Sequence, residues 1–196
     1  FKNYKVQQEI INFVNKRAKV EFISTNGIKK GFVGEMWNRC FEFGIQENYD
    51  YFLQIGDDVE IINKGWCEKF IEQLKKKNDI GVIGFADRGR MKYHKEDRLI
   101  TQSFVSKIHY EIFGSYFPKE IANWYIDNWL TEVYQKNGDA VYDLRFGILN
   151  RGGEPRYPIV VNREMCANFV ERDFGKINDF KASSGLNKIS FAYKLS

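Results

Sequence analysis

Cysteine is scarce here, and Cys40, Cys67 and Cys166 are scattered with no Cys-x-x-Cys pair among them. That argues against a disulfide framework and against a structural zinc site, and for a reducing, cytoplasmic setting (host cytoplasm if the protein is viral). Histidine is scarcer still, and neither His94 nor His109 has a partner at metal-site spacing. His94 falls in a charged loop and reads as a surface residue. His109 falls in a helical pattern, where a packed, hydrogen-bonded histidine is the common outcome. No stretch approaches the length of a membrane span, and no signal peptide is visible. The chain starts without Met, directly in a helical pattern, which suits a fragment of a longer protein. Charge of one sign is also lacking. Thirty basic against 26 acidic residues leave a net charge of +4, too little to imply nucleic acid, though it favours an anionic substrate. With no internal repeat, low-complexity tract or linker, the 196 residues read as one domain with a real core.

What is present is ordinary in bulk, at 43% hydrophobic and 29% charged residues. The 16% aromatic content is high and suggests binding surfaces as well as core. One stretch organises the rest: Asp50-Tyr51-Phe52-Leu53-Gln54-Ile55-Gly56-Asp57-Asp58-Val59. Residues 51–55 read as a buried strand that ends abruptly in two carboxylates. In open α/β sheets ligands gather beyond the carboxyl ends of strands. Adjacent carboxylates repel and lose hydration at such a place, so a divalent cation is a natural companion; the alternative is a solvated acidic turn.

Along the chain, residues 5–16 carry a helical apolar face, and residues 19–24 alternate as a strand. A glycine-punctuated loop over 25–31 leads to a second helix marked by Val33, Met36, Trp37, Cys40, Phe41 and Ile45. After the acidic strand come a helix over 65–77 and an apolar strand over 80–85. The lysines at 75–77 suit a helix C-terminus better than a nucleic-acid patch. This alternation predicts a mostly parallel sheet covered by helices. The second half is less regular: a charged loop over 87–98, a short strand over 99–102 and a helix over 106–113 stopped by Gly114. A helix over 127–136, a strand over 142–150, a turn-rich segment over 151–157 and a helix over 163–180 follow. Residues 183–196 read as a packed arm or a frayed end.

The stretches Gly31-Phe32-Val33-Gly34-Glu35-Met36-Trp37-Asn38 and Tyr51-Phe52-Leu53-Gln54-Ile55-Gly56-Asp57-Asp58-Val59-Glu60 resemble the centre of a GT-A nucleotide-sugar glycosyltransferase of the family-2-like kind. Thr101-Gln102-Ser103-Phe104-Val105, His109 with Ile112-Phe113-Gly114, Asn123-Trp124-Tyr125-Ile126-Asp127-Asn128-Trp129, and Asn150-Arg151-Gly152-Gly153-Glu154-Pro155-Arg156-Tyr157 are similar to a subgroup found in protists and large algal viruses. The resemblance covers residues 19–160. It implies a GT-A-like, Rossmann-like α/β fold, with a nucleotide-sugar half over 1–98 and an acceptor half over 99–196. It also implies a nucleoside-diphosphate sugar donor, UDP-linked by expectation, a glycan or protein-linked acceptor, and Mn²⁺ or Mg²⁺. Two features depart from the pattern. Gly56 stands where the first Asp of the DXD motif belongs, and the strand-helix-strand that normally opens the fold and binds the base is not in this sequence.

Under this resemblance Asp58 is the direct metal ligand, and Asp57 faces the ribose or a metal-bound water, since neighbours on a strand point to opposite faces. Asp127 is the general base of an inverting transfer, or a helix N-cap, or both. Asn128, where relatives often carry a second acid, cannot accept a proton. Gly56, Lys30, Gln102, Ser103 and Arg156 are donor contacts, with Lys29 beside them and Arg156 favoured by its Gly-Gly-x-Pro setting. Trp124 or Trp129 offers an aromatic platform for a sugar, core packing being the alternative. Trp37 and Trp66 read as structural. Two other readings stay open: a GT-A-like binding module without catalysis, and a nucleotidyltransferase. The latter lacks its expected glycine-rich phosphate loop here.

Overall fold

The computed structural model describes residues 4–14, 17–93, 98–152, 157–161 and 163–186. His94, Arg156 and the chain beyond residue 186 therefore lie outside the described residues. Six helices and five strands follow in the order α1 (Tyr4–Val14), α2 (Val33–Gln46), β1 (Tyr51–Gln54), β2 (Val59–Ile61), α3 (Trp66–Lys75), β3 (Val82–Asp87), β4 (Ser103–Ser106), α4 (Ile108–Phe113), α5 (Ile126–Gln135), β5 (Ala140–Asn150) and α6 (Arg163–Ser183). No helix among the described residues is long and apolar enough to cross a membrane.

The fold is mixed α/β, with one five-stranded sheet ordered β1-β4-β3-β5-β2. The expectation of a mostly parallel sheet is corrected. Three of the four pairings, β1–β4, β3–β4 and β2–β5, are antiparallel, and only β3–β5 is parallel. The helix-strand alternation does send β1, β3 and β5 in one direction. What it does not reveal is that β4 runs back between β1 and β3, and that β2 turns straight out of β1 onto the far edge. Residues 99–102, expected as a strand, are the irregular lead into β4, and residues 19–24 form no strand despite their alternation. Their backbone is instead partly tied to α2, where the Arg39 guanidinium donates to the Ser24 carbonyl oxygen at 2.6 Å and Lys19 pairs with Glu47 at 2.9 Å.

Alternation on the central strands builds two cores. Val82 and Val105 face α4, α5 and α6 in a layer with Phe41, Ile100, Phe117, Trp129 and Val170. Ile83, Phe85 and Phe104 face α3, whose Phe70 and Leu74 have no exposure at all. At ~25 cal/mol per Å² of apolar area, side chains buried this fully each contribute about 1.5–3 kcal/mol. Gly84 leaves the space that Ile100 fills, because a Cβ there would lie 2.7 Å from both Ile100 γ-carbons.

The link from β1 to β2 positions everything that follows. These strands are the two outer edges of the sheet, yet only residues 55–58 separate them. Four strand spacings span about 19 Å in a flat sheet. The five steps from Gln54 to Val59 reach at most about 18 Å. The sheet is therefore curled, and the acidic turn straps across the rim where β1, β3 and β5 end.

Candidate functional site

The acidic turn is built by hydrogen bonds from both sides. The Gly56 N–H donates to Gln102 Oε1 at 2.7 Å, so the turn hangs from the residue that leads into β4. The Val59 N–H donates to the Gly56 carbonyl at 3.3 Å, and the Arg151 N–H to the Asp58 carbonyl at 2.7 Å. The chain after β5 is thereby fixed against the acidic turn. The Arg151 guanidinium turns outward to Glu60 at 2.6 Å.

The two carboxylates part company. Asp57 is exposed, whereas Asp58 is half-buried. Its carboxylate lies between two glycines. A Cβ on Gly56 would come within 2.6 Å of Asp58 Oδ1, and one on Gly152 within 2.1 Å of Asp58 Oδ2. Among the described residues no hydrogen-bond donor or cation meets the Asp58 carboxylate. Asp87, a further carboxylate at this rim, is engaged, with Oδ1 accepting from the Gly89 and Arg90 N–H groups at 3.0 Å. The half-buried oxygens of Asp58, in a cradle kept clear by two glycines, suit a hard divalent cation such as Mn²⁺ or Mg²⁺. Among the described residues no three His, Cys, Asp or Glu side chains gather into a metal cage. Such an ion would complete its shell with amide or backbone oxygens, water and ligand phosphate, which is the usual way Mg²⁺ is held.

Of the other candidates, Gln102 is buried and its oxygen holds the Gly56 backbone, making it a positioning residue. Ser103 is fully buried inside the sheet, bonded to Gln54 and Tyr116 at 3.2 and 2.9 Å. It is thus part of the scaffold, and its expected donor contact is corrected. Lys30 is exposed in the loop before α2. Beside it, Lys29 sits 5.4 Å from the Phe32 ring centroid.

Asp127 lies in the first turn of α5, where a carboxylate favours the helix dipole. The N-cap reading is corrected, since Tyr125 holds the cap position with no side-chain bond. Tyr125 has φ 75°, which a non-glycine residue adopts only when its surroundings hold it there. They do. Buried Asn123 donates to the carbonyls of Gly31 (3.0 Å) and Pro158 (3.1 Å) and accepts from Trp124 N and Val160 N. Asn123 thus binds the loop carrying Lys30 to the chain that returns from Gly152. Five residue steps lead from Gly152 to Tyr157, whose Cβ lies 3.6 Å from where Gly31 would carry its own. Such a link reaches no more than about 18 Å, which bounds the distance from Gly152 to the loop that Asn123 ties down.

Trp124, three residues before Asp127, is 45% exposed, whereas Trp129 is buried and donates from Nε1 to Asp173 Oδ2 at 3.2 Å. Asp173 pairs with Arg172 and Lys176 as well. Burial pushes its carboxyl upward, and those cations bring it net below the ordinary carboxylate range. His109 is structural, with Nδ1 against Tyr134 Oη at 2.8 Å and Nε2 against the Tyr116 carbonyl at 3.0 Å. Trp37 and Trp66 pack against the two cores. A cleft of about 220 Å³ runs along the outer side of β1, lined by Trp37, Cys40, Phe41, Phe52 and Tyr116. Sequence reasoning assigned no role to Asn123, Asn150 or Gly152. The one available signal was a glycine pair directly after a strand, which marks close backbone approach. No protein-family model, curated protein or solved structure matches the chain.

Proposed function

We propose that the chain is a divalent-cation-dependent glycosyltransferase of the GT-A kind. It moves a sugar from a nucleoside-diphosphate donor, UDP-linked in the first instance, to a glycan or protein-linked acceptor. One observation carries the reading: a half-buried carboxylate, Asp58, is cradled by glycines and has no partner among the described residues, at the rim where three same-direction strands end. Ligands of open α/β sheets gather at that rim.

Asp58, with Asp57 on the solvent side, would hold Mn²⁺ or Mg²⁺, which when bound neutralises charge on the departing diphosphate. Gln102 keeps the turn in place for this, so Asp58 need not reorganise as charge develops. Lys30 and Arg156 supply cationic charge toward the phosphates. Asp127 accepts the proton of the acceptor hydroxyl as its oxygen attacks the anomeric carbon, while the bond from that carbon to the diphosphate oxygen breaks. Trp124 carries the acceptor's apolar face.

The test is a thermal-shift titration with UDP and GDP, with and without Mn²⁺. Stabilisation by one nucleotide that requires Mn²⁺, and is lost in Asp58→Asn, is the expected result. Equal melting temperatures under every condition would refute the reading. Gly56, in place of the first motif acid, keeps a binding module without catalysis as the second reading. Donor hydrolysis that disappears in Asp127→Asn, with nucleotide binding intact, would exclude it.

A further inference from the structure

Asn150 and Gly152 sit on the far side of Asp58 and make an arrangement the motif does not explain. The Gly152 N–H donates to Asn150 Oδ1 at 2.8 Å. Only the oxygen end of an amide accepts from N–H, so this bond fixes which way the Asn150 amide faces. A Cβ on Gly152 would fall 2.1 Å from Asp58 Oδ2 and 2.9 Å from Asn150 Oδ1. Two acceptor oxygens therefore converge beside residue 152. The bond from Gly152 turns the oxygen of the Asn150 amide, and not its NH₂ group, toward residue 152. Asn150 Oδ1 thus brings a second partial negative charge beside the Asp58 carboxylate, and its lone pair not used by the Gly152 N–H is open to a cation.

We propose that Asn150 is the second protein oxygen on the cation held by Asp58, and that Gly152 lacks a side chain so that both oxygens address one ion. This rests on the glycosyltransferase reading, in which that cation serves the diphosphate. Asn150 closes the long strand β5 and pairs with Val59 in the register of β2. The two oxygens thus come from the two chains that meet at one sheet edge, and their spacing is set by the strand ladder. An amide and one carboxylate hold the ion with less charge than two carboxylates, which leaves its affinity dependent on the phosphate oxygens of the ligand.

The experiment measures Mn²⁺ binding by the loss of the free-ion electron paramagnetic resonance signal, with UDP or GDP present. The protein is compared with Asp58→Asn, Asn150→Ala, Asn150→Asp and Gly152→Ala, and circular dichroism checks each fold. Asp58→Asn should abolish binding. Asn150→Ala and Gly152→Ala should weaken it by on the order of tenfold or more, and Asn150→Asp should restore or tighten it. If Asn150→Ala and Asn150→Asp both bind like the parent while Asp58→Asn does not, the Asn150 assignment is overturned and the glycosyltransferase reading stands. If the parent binds no Mn²⁺ with either nucleotide, the reading itself falls, and this inference with it.

Discussion

Asn38 offers the sharpest test of how this fold is held together. It lies on α2, 2% exposed, and its amide spans the backbone of Phe117, 79 residues away. The Phe117 N–H donates to Asn38 Oδ1 at 2.7 Å, and Asn38 Nδ2 donates to the Phe117 carbonyl at 2.9 Å. In Asn38→Ala both bonds vanish. The Phe117 carbonyl keeps one partner, the Ser115 hydroxyl at 3.0 Å, but the Phe117 N–H is left buried with none. An orphaned buried donor costs about 1–3 kcal/mol, and the lost second bond adds about 1. The expected destabilisation is about 2–4 kcal/mol, a large share of the ~5–15 kcal/mol that folded domains have. In a chain this long it lowers the melting temperature by roughly 4–16 °C. Urea unfolding followed by circular dichroism measures it, with an unchanged slope showing that the two states are the same. Asn38→Asp separates the two bonds. The carboxylate still accepts from Phe117 N–H but confronts the carbonyl, so this variant should gain stability on acidification, when a protonated oxygen can donate. A loss below about 0.5 kcal/mol in Asn38→Ala, or no pH dependence in Asn38→Asp, would show that the clamp does not secure α2.

Two more outcomes follow from buried groups. Burial drives His109 down to about 4, against about 6.5 in an unfolded chain. Because the folded value is the lower one, its stabilisation is complete above pH 6.5 and drains away as pH falls toward 4, by up to about 3 kcal/mol. Urea midpoints taken from pH 7 to 4 should fall in the parent and flatten in His109→Gln, and parallel curves would refute the assignment. Gly84→Ala should cost about 1–3 kcal/mol, since its methyl meets the buried Ile100 at 2.7 Å. Moving Ile100 disturbs Gln102 two residues on, so Mn²⁺-dependent nucleotide binding should weaken too. A normal midpoint in thermal unfolding would refute the clash.

The acidic strand, α3 and α5 could be read from the sequence because their signals are local: an apolar run with an abrupt polar end, or apolar residues at helical spacing. The antiparallel entry of β4 could not, because strand direction is decided by where the 88–102 connection returns, and no local pattern encodes that. Residues 19–24 alternate as strands do but find no ladder, which shows that alternation needs a partner. The donor-contact reading of Ser103 failed because a serine facing into a sheet resembles one facing a ligand until its neighbours are known. Asp127 missed the cap position by two residues, within the usual uncertainty of helix ends. Strand alternation separates Asp57 from Asp58, and the family resemblance favours Asp58 of the two, but neither points to Asn150. Asn150 is 92 residues further on, and only the pairing of β2 with β5 brings the two together.

That curl gives the acidic turn a mechanical role. It is a clasp joining the two outermost strands, each hydrogen-bonded to one neighbour only. Outer strands open at lower free energy than inner ones, and amide hydrogen exchange reports such openings. A group that fastens the clasp therefore slows exchange at β1 and β2 together, although these strands are the two outer edges of the sheet and share no ladder. The same coupling runs backward: whatever loosens either outer strand slackens the clasp.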